Sequence, residues 1–196
     1  MTTSDDSPPS RGGRPRRAAV DAAVLGAATR LIAERGYSGT TLDQIAAEAD
    51  VAKSTVYRRW PGKAVLAVDA LASALGDLPL PAAGTGGSPR AAVHASAQWL
   101  AGRVGDHDVH RLLAGVLAEA GQDPSLRELL RSRIRAPFCS GLARRWEVDE
   151  AAVDLAFDVV VGTLLHRWAT TGEVDPATTA AVSELATTML FDDRRV

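Results

Sequence analysis

The sequence predicts an all-α fold of about nine helices: an N-terminal helix-turn-helix domain followed by a larger helical bundle. Three observations carry this. Apolar residues recur at steps of three and four along most of the chain, the period that lines one face of an α-helix. No alternating β-branched run of strand length stands between turn signals, so no sheet is expected. Charge is also split along the chain. Between Arg11 and Lys63 ten basic residues stand against five acidic ones, whereas from Ala67 to Val196 twelve basic residues meet seventeen acidic ones. The formal net charge of −2 over 196 residues therefore conceals a basic N-terminal third, the balance expected of a segment that meets polyanions.

Residues 1–16 are dominated by Ser, Pro, Gly and Arg and offer no apolar face, so they are expected to form a disordered arm. Arg14, Arg16 and Arg17 make that arm basic enough to enter a minor groove, although such residues more often form a solvated tail. Val20, Val24, Ala27, Ala28 and Leu31 form the stripe of a first helix, stopped by Gly36. Thr41 is placed to cap a short second helix whose apolar side is Leu42, Ile45, Ala46 and Ala49. Asp50-Val51-Ala52 breaks it. A third helix follows from about Lys53 to Trp60 and is ended by Pro61-Gly62; a fourth begins near Lys63, with Val65, Leu66, Ala67, Leu71 and Leu75 as its apolar side. The Pro- and Gly-rich stretch 78–89 marks a linker loop between a domain at 17–77 and a second at 90–196. In the second, helices are expected near 90–104, 107–121, 124–146, 149–171 and 176–191. Pro137 lies inside the third of these and should kink it, since proline removes one rung of the hydrogen-bond ladder.

The chemistry lies between Thr41 and Trp60. Two helices of about eight residues joined by a tight turn have the size of a helix-turn-helix, in which one helix braces the other in a major groove. On the third helix Val56 and Trp60 are four apart and face the core, with Ala52 one turn earlier. Lys53, Ser54, Thr55, Arg58 and Arg59 are left on the outer face, where cations and hydroxyls reach phosphates and base edges. Tyr57 packs its ring and points its hydroxyl outward. On the bracing helix Gln44 is within reach of a base edge, while Asp43 would repel phosphate and is expected to be solvated.

These residues resemble a known family. The stretch RLIAERGYSGTTLDQIAAEADVAKSTVYRRWPGKAVL, Arg30 to Leu66, is similar to the DNA-binding domain of tetracycline-repressor-like (TetR) transcriptional regulators, and the resemblance spans residues 17–77. It rests on the G-x-x-x-T-x-x-x-I-A run, the V-x-x-S/T-x-Y-R-x-W helix and the Gly-Lys that follows. It implies a homodimer on a near-palindromic double-stranded operator, with a C-terminal bundle holding the dimer interface and a pocket for a small-molecule effector that releases the DNA. By position it implies phosphate contacts from Thr41, Tyr57, Arg59 and Lys63, and base and phosphate contacts from Lys53, Ser54 and Thr55. The chain departs from the pattern in two places. Asp50 stands where the turn usually has Gly, and Ala52 where the recognition helix usually has a Ser cap.

The second half is less specific. His107 and His110 are three apart, but no further ligand stands near, so no metal site is expected. Cys139, the one cysteine, excludes a disulfide scaffold, fits a reducing cytoplasm and is expected to be a small buried hydrophobe. The helix at 149–171 is apolar nearly all round and, with the last helix, is expected to form a four-helix dimer interface near Gly162. Trp99, Phe138, Phe157, His166 and Trp168 are candidate effector contacts beside the Pro137 kink. No apolar run approaches the ~18 residues that span a bilayer, and the N-terminus lacks the apolar core of a secretory leader, so no membrane partner is expected. There is no nucleophile elbow, phosphate-cradling loop or paired acidic motif. A regulator without cofactor is therefore favoured over the alternative, a helical enzyme with a basic N-terminal domain.

Overall fold

The computed structural model describes residues 13–76 and 88–191, with side chains from Arg17 onward. The helices are α1 (Gly13–Arg35), α2 (Leu42–Glu48), α3 (Lys53–Arg59), α4 (Lys63–Leu75), α5 (Pro89–Gly105), α6 (His107–Ala120), α7 (Pro124–Leu130), α8 (Ala136–Trp146), α9 (Glu150–Thr171) and α10 (Pro176–Phe191). A π-helical turn, Arg131–Arg135, joins α7 to α8 without a break, so the described residues form nine rods and no strand. α1 begins at Gly13, inside the stretch expected to be a disordered arm; residues 1–12 lie outside the described residues, as do 77–87 of the linker. The last two linker residues open α5: Ser88 caps it with its hydroxyl and Pro89 takes the first helical position, where its missing N–H costs nothing. No helix among the described residues is long and apolar enough to cross a membrane.

One apolar core crosses the linker. Val24, Ala28, Leu31 and Ile32 of α1 and Leu66 and Leu71 of α4 are buried in the same cluster as Leu112 and Val116 of α6, Leu126 of α7 and Leu164 of α9. The N-terminal domain is thus seated on α6 and α7 by side-chain packing. A second cluster, Cys139, Leu142, Ala143 and Val153, lies between α8 and α9. Burial pushes the Cys139 thiol up to about 12, which leaves it protonated and unreactive at neutral pH.

Pro137 acts where the sequence places it, but the result is a π turn. It has no N–H for the Arg133 carbonyl, and the ladder shifts by one residue, the Ala136 N–H bonding to the Arg131 carbonyl. Arg135 fastens this turn to α9, donating to Asp154 (3.2 Å) and to Asp158. α9 is not buried on every side. Its inner face, Val153, Ala156 and Leu164, is covered, whereas Leu155 is 57% exposed and shares an open stripe with Ala151, Asp158, Gly162 and His166. On α10, Leu185 is 51% exposed on a similar stripe with Ala177, Ala181 and Thr188.

His110 is buried in α6, its ring stacked on Trp168 at 3.6 Å between centroids, and its Nδ1 has no partner among the described residues. Burial first, and the nearby His107 second, lower its pKa below the ordinary 6.5. The folded chain therefore favours neutral imidazole, and the unfolded chain binds the proton more readily. Stability should be intact above about pH 6.5 and fall as pH drops through that value toward the lower folded pKa. Thermal melts of wild type and His110→Leu between pH 8 and 5 should show a decline in the wild type that is smaller in the variant; parallel curves would exclude His110 as its source.

Candidate nucleic-acid interface

α2 is set by its first residues. The Thr41 hydroxyl accepts from the Gln44 N–H (3.2 Å) and the Gln44 side-chain oxygen accepts from the Thr41 N–H (2.9 Å), a complete capping box. The Gln44 carbonyl expected near a base edge is thus committed to the cap, and only its amide NH₂ remains to donate. Thr40, one residue earlier, is fully buried and donates to the carbonyls of Leu31 (3.2 Å) and Gly36 (2.9 Å), which fixes the chain as it leaves α1.

Asp50 makes the turn. It adopts φ +52°, the left-handed region that Asp enters more readily than most residues, and the Val51 N–H returns to the Ala46 carbonyl at 3.0 Å. Ala52 provides no side-chain cap; its carbonyl accepts from the Thr55 N–H at 2.8 Å. Val56 and Trp60 are buried, as their spacing predicts, and the Trp60 Nε1–H donates to Asp69 Oδ2 of α4 at 3.0 Å. The helix is thereby held at its end from inside.

Lys53, Ser54, Tyr57 and Arg58 stand exposed on the outer face, with Thr55 half-buried beside them. Asp43 is not simply solvated. It accepts from Lys53 Nζ at 2.6 Å and from the Tyr57 hydroxyl at 3.1 Å, tying α2 to α3 across the turn. The Lys53 hydrogen bond holds the Asp43 carboxyl below its usual range, and Asp43 in turn raises Lys53 and Tyr57. Beyond Thr41 and Tyr57, two further expected phosphate contacts are engaged within the protein. Arg59 pairs with Asp21 and donates to the Arg17 carbonyl, and its side chain is only 16% exposed. Lys63 donates to the Tyr37 carbonyl at 2.9 Å and lies 4.2 Å above the Tyr37 ring. Both brace the domain in the free protein. The Arg14 and Arg16 side chains lie outside the described residues.

In the bundle, α4, α5, the π turn, α8, α9 and α10 enclose a cavity of about 240 Å³. Trp99, Phe138 and Phe157 line it, the two phenyl rings 5.3 Å apart. His166 and Trp168 do not. His166 is exposed on the open stripe of α9, and Trp168 is stacked on His110. Arg133 and Ser96, which sequence reasoning missed, are on the wall. Nothing in a period-3.6 pattern distinguishes a cavity-lining residue from one packed against a neighbour.

Residues 24–70 match the family profile described as bacterial regulatory proteins, tetR family. An HTH-type transcriptional regulator of Bacillus subtilis, YdeS, is 31% identical over 175 residues, covering 84% of this chain and 85% of its own. The DNA-binding transcriptional repressor TetR of Mycobacteroides abscessus is 31% identical over 167 residues, covering 80% and 85%. Among solved structures, a tetR-family regulator from Mesorhizobium loti superposes with a TM-score of 0.66 at 18% identity, over 89% of this chain and 98% of that one. The multidrug binding protein EbrR, solved with ethidium, gives 0.64 at 23% identity, over 87% and 98%.

Two substitutions probe the interface. Asp50→Gly should relieve the left-handed strain and raise stability by about 0.5–1 kcal/mol, read from denaturant midpoints; an unchanged or lowered midpoint would mean that Asp50 is not strained. Asp43→Asn should release Lys53 and Tyr57 and remove a charge facing the phosphates. Non-specific DNA should then bind roughly two- to tenfold tighter at low salt, with the gain shrinking as salt rises. Weaker binding in titrations by fluorescence anisotropy would show that the Asp43 brace matters more than the freed cation.

Proposed function

The chain belongs to the TetR family of bacterial regulatory proteins and is a DNA-binding transcriptional regulator, and from that premise we propose that it is a homodimeric repressor released from its operator by a small apolar effector. The observation that carries the reading is the outer face of α3. Lys53, Ser54, Thr55, Tyr57 and Arg58 stand together on a seven-residue helix whose opposite face is buried. Lys53, Ser54 and Thr55 open that helix and enter the groove; Thr41, Tyr57 and Arg58 flank it at the phosphates. Arg59 and Lys63 support this surface from behind, and each keeps further N–H donors for a phosphate. Gln44 offers its amide at the groove edge.

Dimerisation is assigned to the open stripes of α9 and α10. Leu155 and Leu185 are large apolar side chains at least half exposed, and small residues, Ala151, Gly162 and Ala181, flank them so that helices can approach closely. A two-fold axis through this face would bury the stripes against their copies. The effector is assigned to the cavity lined by Trp99, Phe138 and Phe157, which is set among helices that connect directly to α4 and so to the DNA-binding face. The binding of ethidium by EbrR supports a pocket of this kind in the shared fold.

Lys53→Ala should cost roughly 1–3 kcal/mol on the cognate operator and less on scrambled DNA, measured by gel shift at fixed salt. Equal losses on both would reduce Lys53 to a phosphate contact. Leu155→Glu with Leu185→Glu should convert a dimer to a monomer in sedimentation while leaving the circular dichroism unchanged, because both positions are outside the core. A wild type that sediments as a monomer at micromolar concentration would remove the dimer from the proposal.

A further inference from the structure

The cavity wall has an uneven chemistry. Val93, Leu142, Val153, Phe157 and Val160 are typical of it, and among the described residues no acidic side chain lines it. Arg133 is the one charged residue among the described lining residues, and that side chain is 42% exposed, so the guanidinium marks the place where the cavity meets water. Among the described residues it makes one hydrogen bond, from Nη1 to Asp69 Oδ1 at 2.6 Å. A guanidinium carries five N–H donors in a planar fork shaped for a carboxylate. The remainder of that fork is unsatisfied by protein. Asp69 is shared: its other oxygen accepts from the Trp60 indole at the end of α3. A second point on the wall also lacks a partner. The Ser96 hydroxyl oxygen is completely buried and meets no acceptor or donor among the described residues.

We propose that the effector is an apolar molecule ending in a carboxylate, its tail in the cavity and its head on Arg133, where it competes with Asp69 for the guanidinium. This deepens the effector reading given above and rests on it. An amphiphile of this kind matches both parts of the site, since the tail leaves water while the head remains at the exposed rim. A cationic head would be repelled by Arg133 and meets no carboxylate among the described residues that line the cavity. A neutral apolar molecule would use the cavity but leave the Arg133 fork empty. The head also has a route to the DNA. Asp69 holds Trp60 at the end of the recognition helix, so drawing Arg133 away changes the charge balance on the carboxylate that anchors that helix.

Three probes with one tail test this on the full-length protein: octanoate, 1-octanol and octylamine, each titrated at pH 7 by calorimetry. Octanoate should bind at least fivefold tighter than octanol, with octylamine weakest, and its advantage should shrink as salt is raised. Arg133→Gln should abolish the octanoate preference and leave octanol binding unchanged. Octanoate, and not octanol, should shift the indole N–H resonance of Trp60. If octanol or octylamine equals octanoate, the carboxylate assignment is overturned while the cavity remains the effector site. If Arg133→Gln keeps the preference, the head binds elsewhere and the assignment also fails. If none of the three binds, the cavity reading itself is lost. Should Arg133→Gln not fold, the salt series and the Trp60 resonance in wild type decide the matter without it.

Discussion

A seven-residue helix has no stability of its own. Its first turn fixes several residues for one hydrogen bond, and too few rungs follow to offset that cost in water. α3 also lacks a side-chain cap at Ala52, so even the usual local help is missing. It exists because the body of the protein holds it. Val56 and Trp60 are buried beneath it, the Trp60 indole is tied to Asp69, Arg59 to Asp21, and Lys53 and Tyr57 to Asp43. The outer face of α3, the surface proposed to meet DNA, is thus stabilised almost wholly from behind and from the sides. Its polar residues are then free of any structural duty, apart from the two that Asp43 engages.

This dependence gives the rest of the architecture its meaning. Each anchor of α3 belongs to an element that is itself part of the common core. Asp21 lies on α1 and Asp69 on α4, and both helices pack on α6 through residues such as Ile32, Leu66, Leu112 and Val116. α3 is therefore linked to the bundle through two well-packed helices. Close packing transmits displacement, since interiors have few voids to absorb it. The cavity is the exception within this packing, and Ala72 and Leu75 on α4 form part of its wall. Filling it bears on the same helix that carries Asp69.

Local rules made most of the fold legible. Gly36 and Gly172 stop helices at positive φ, and the 3.6-residue stripes of α1, α2 and α4 are largely the buried faces. Asp50 takes the left-handed turn that a missing glycine demanded. The sequence is least informative where one residue has two partners within reach. Spacing sets Arg59 on the outer face and the family resemblance sets Lys63 at a phosphate, and each also has a partner within the domain, Asp21 for one and the Tyr37 carbonyl and ring for the other. Asp43 looked repulsive to DNA; lying ten residues from Lys53, it becomes a neighbour only once the turn folds the two helices together. His166 and Trp168 sit on a helix apolar nearly all round, where periodicity cannot say which face is core, which is cavity and which is open. Tertiary pairing of this kind has no signature in the chain itself.

The π turn shows how one residue type can set several features at once. Pro137 removes an N–H from the ladder, and the chain responds by widening one turn at Arg131–Arg135. Widening rotates the following residues relative to a regular helix, so Arg133 and Phe138, five apart, both come to the cavity wall. Arg135, two residues on from Arg133, is directed instead to Asp154 and Asp158 on α9. The turn is therefore tied to α9 by a pair of carboxylates and to α4 by the Arg133 bond to Asp69 and by Ile134 packed on the common core. The contact to Asp69 lies on the side that leads to Trp60 at the end of α3, and the contacts to Asp154 and Asp158 lie on the helix that carries the open stripe of Leu155 and Gly162.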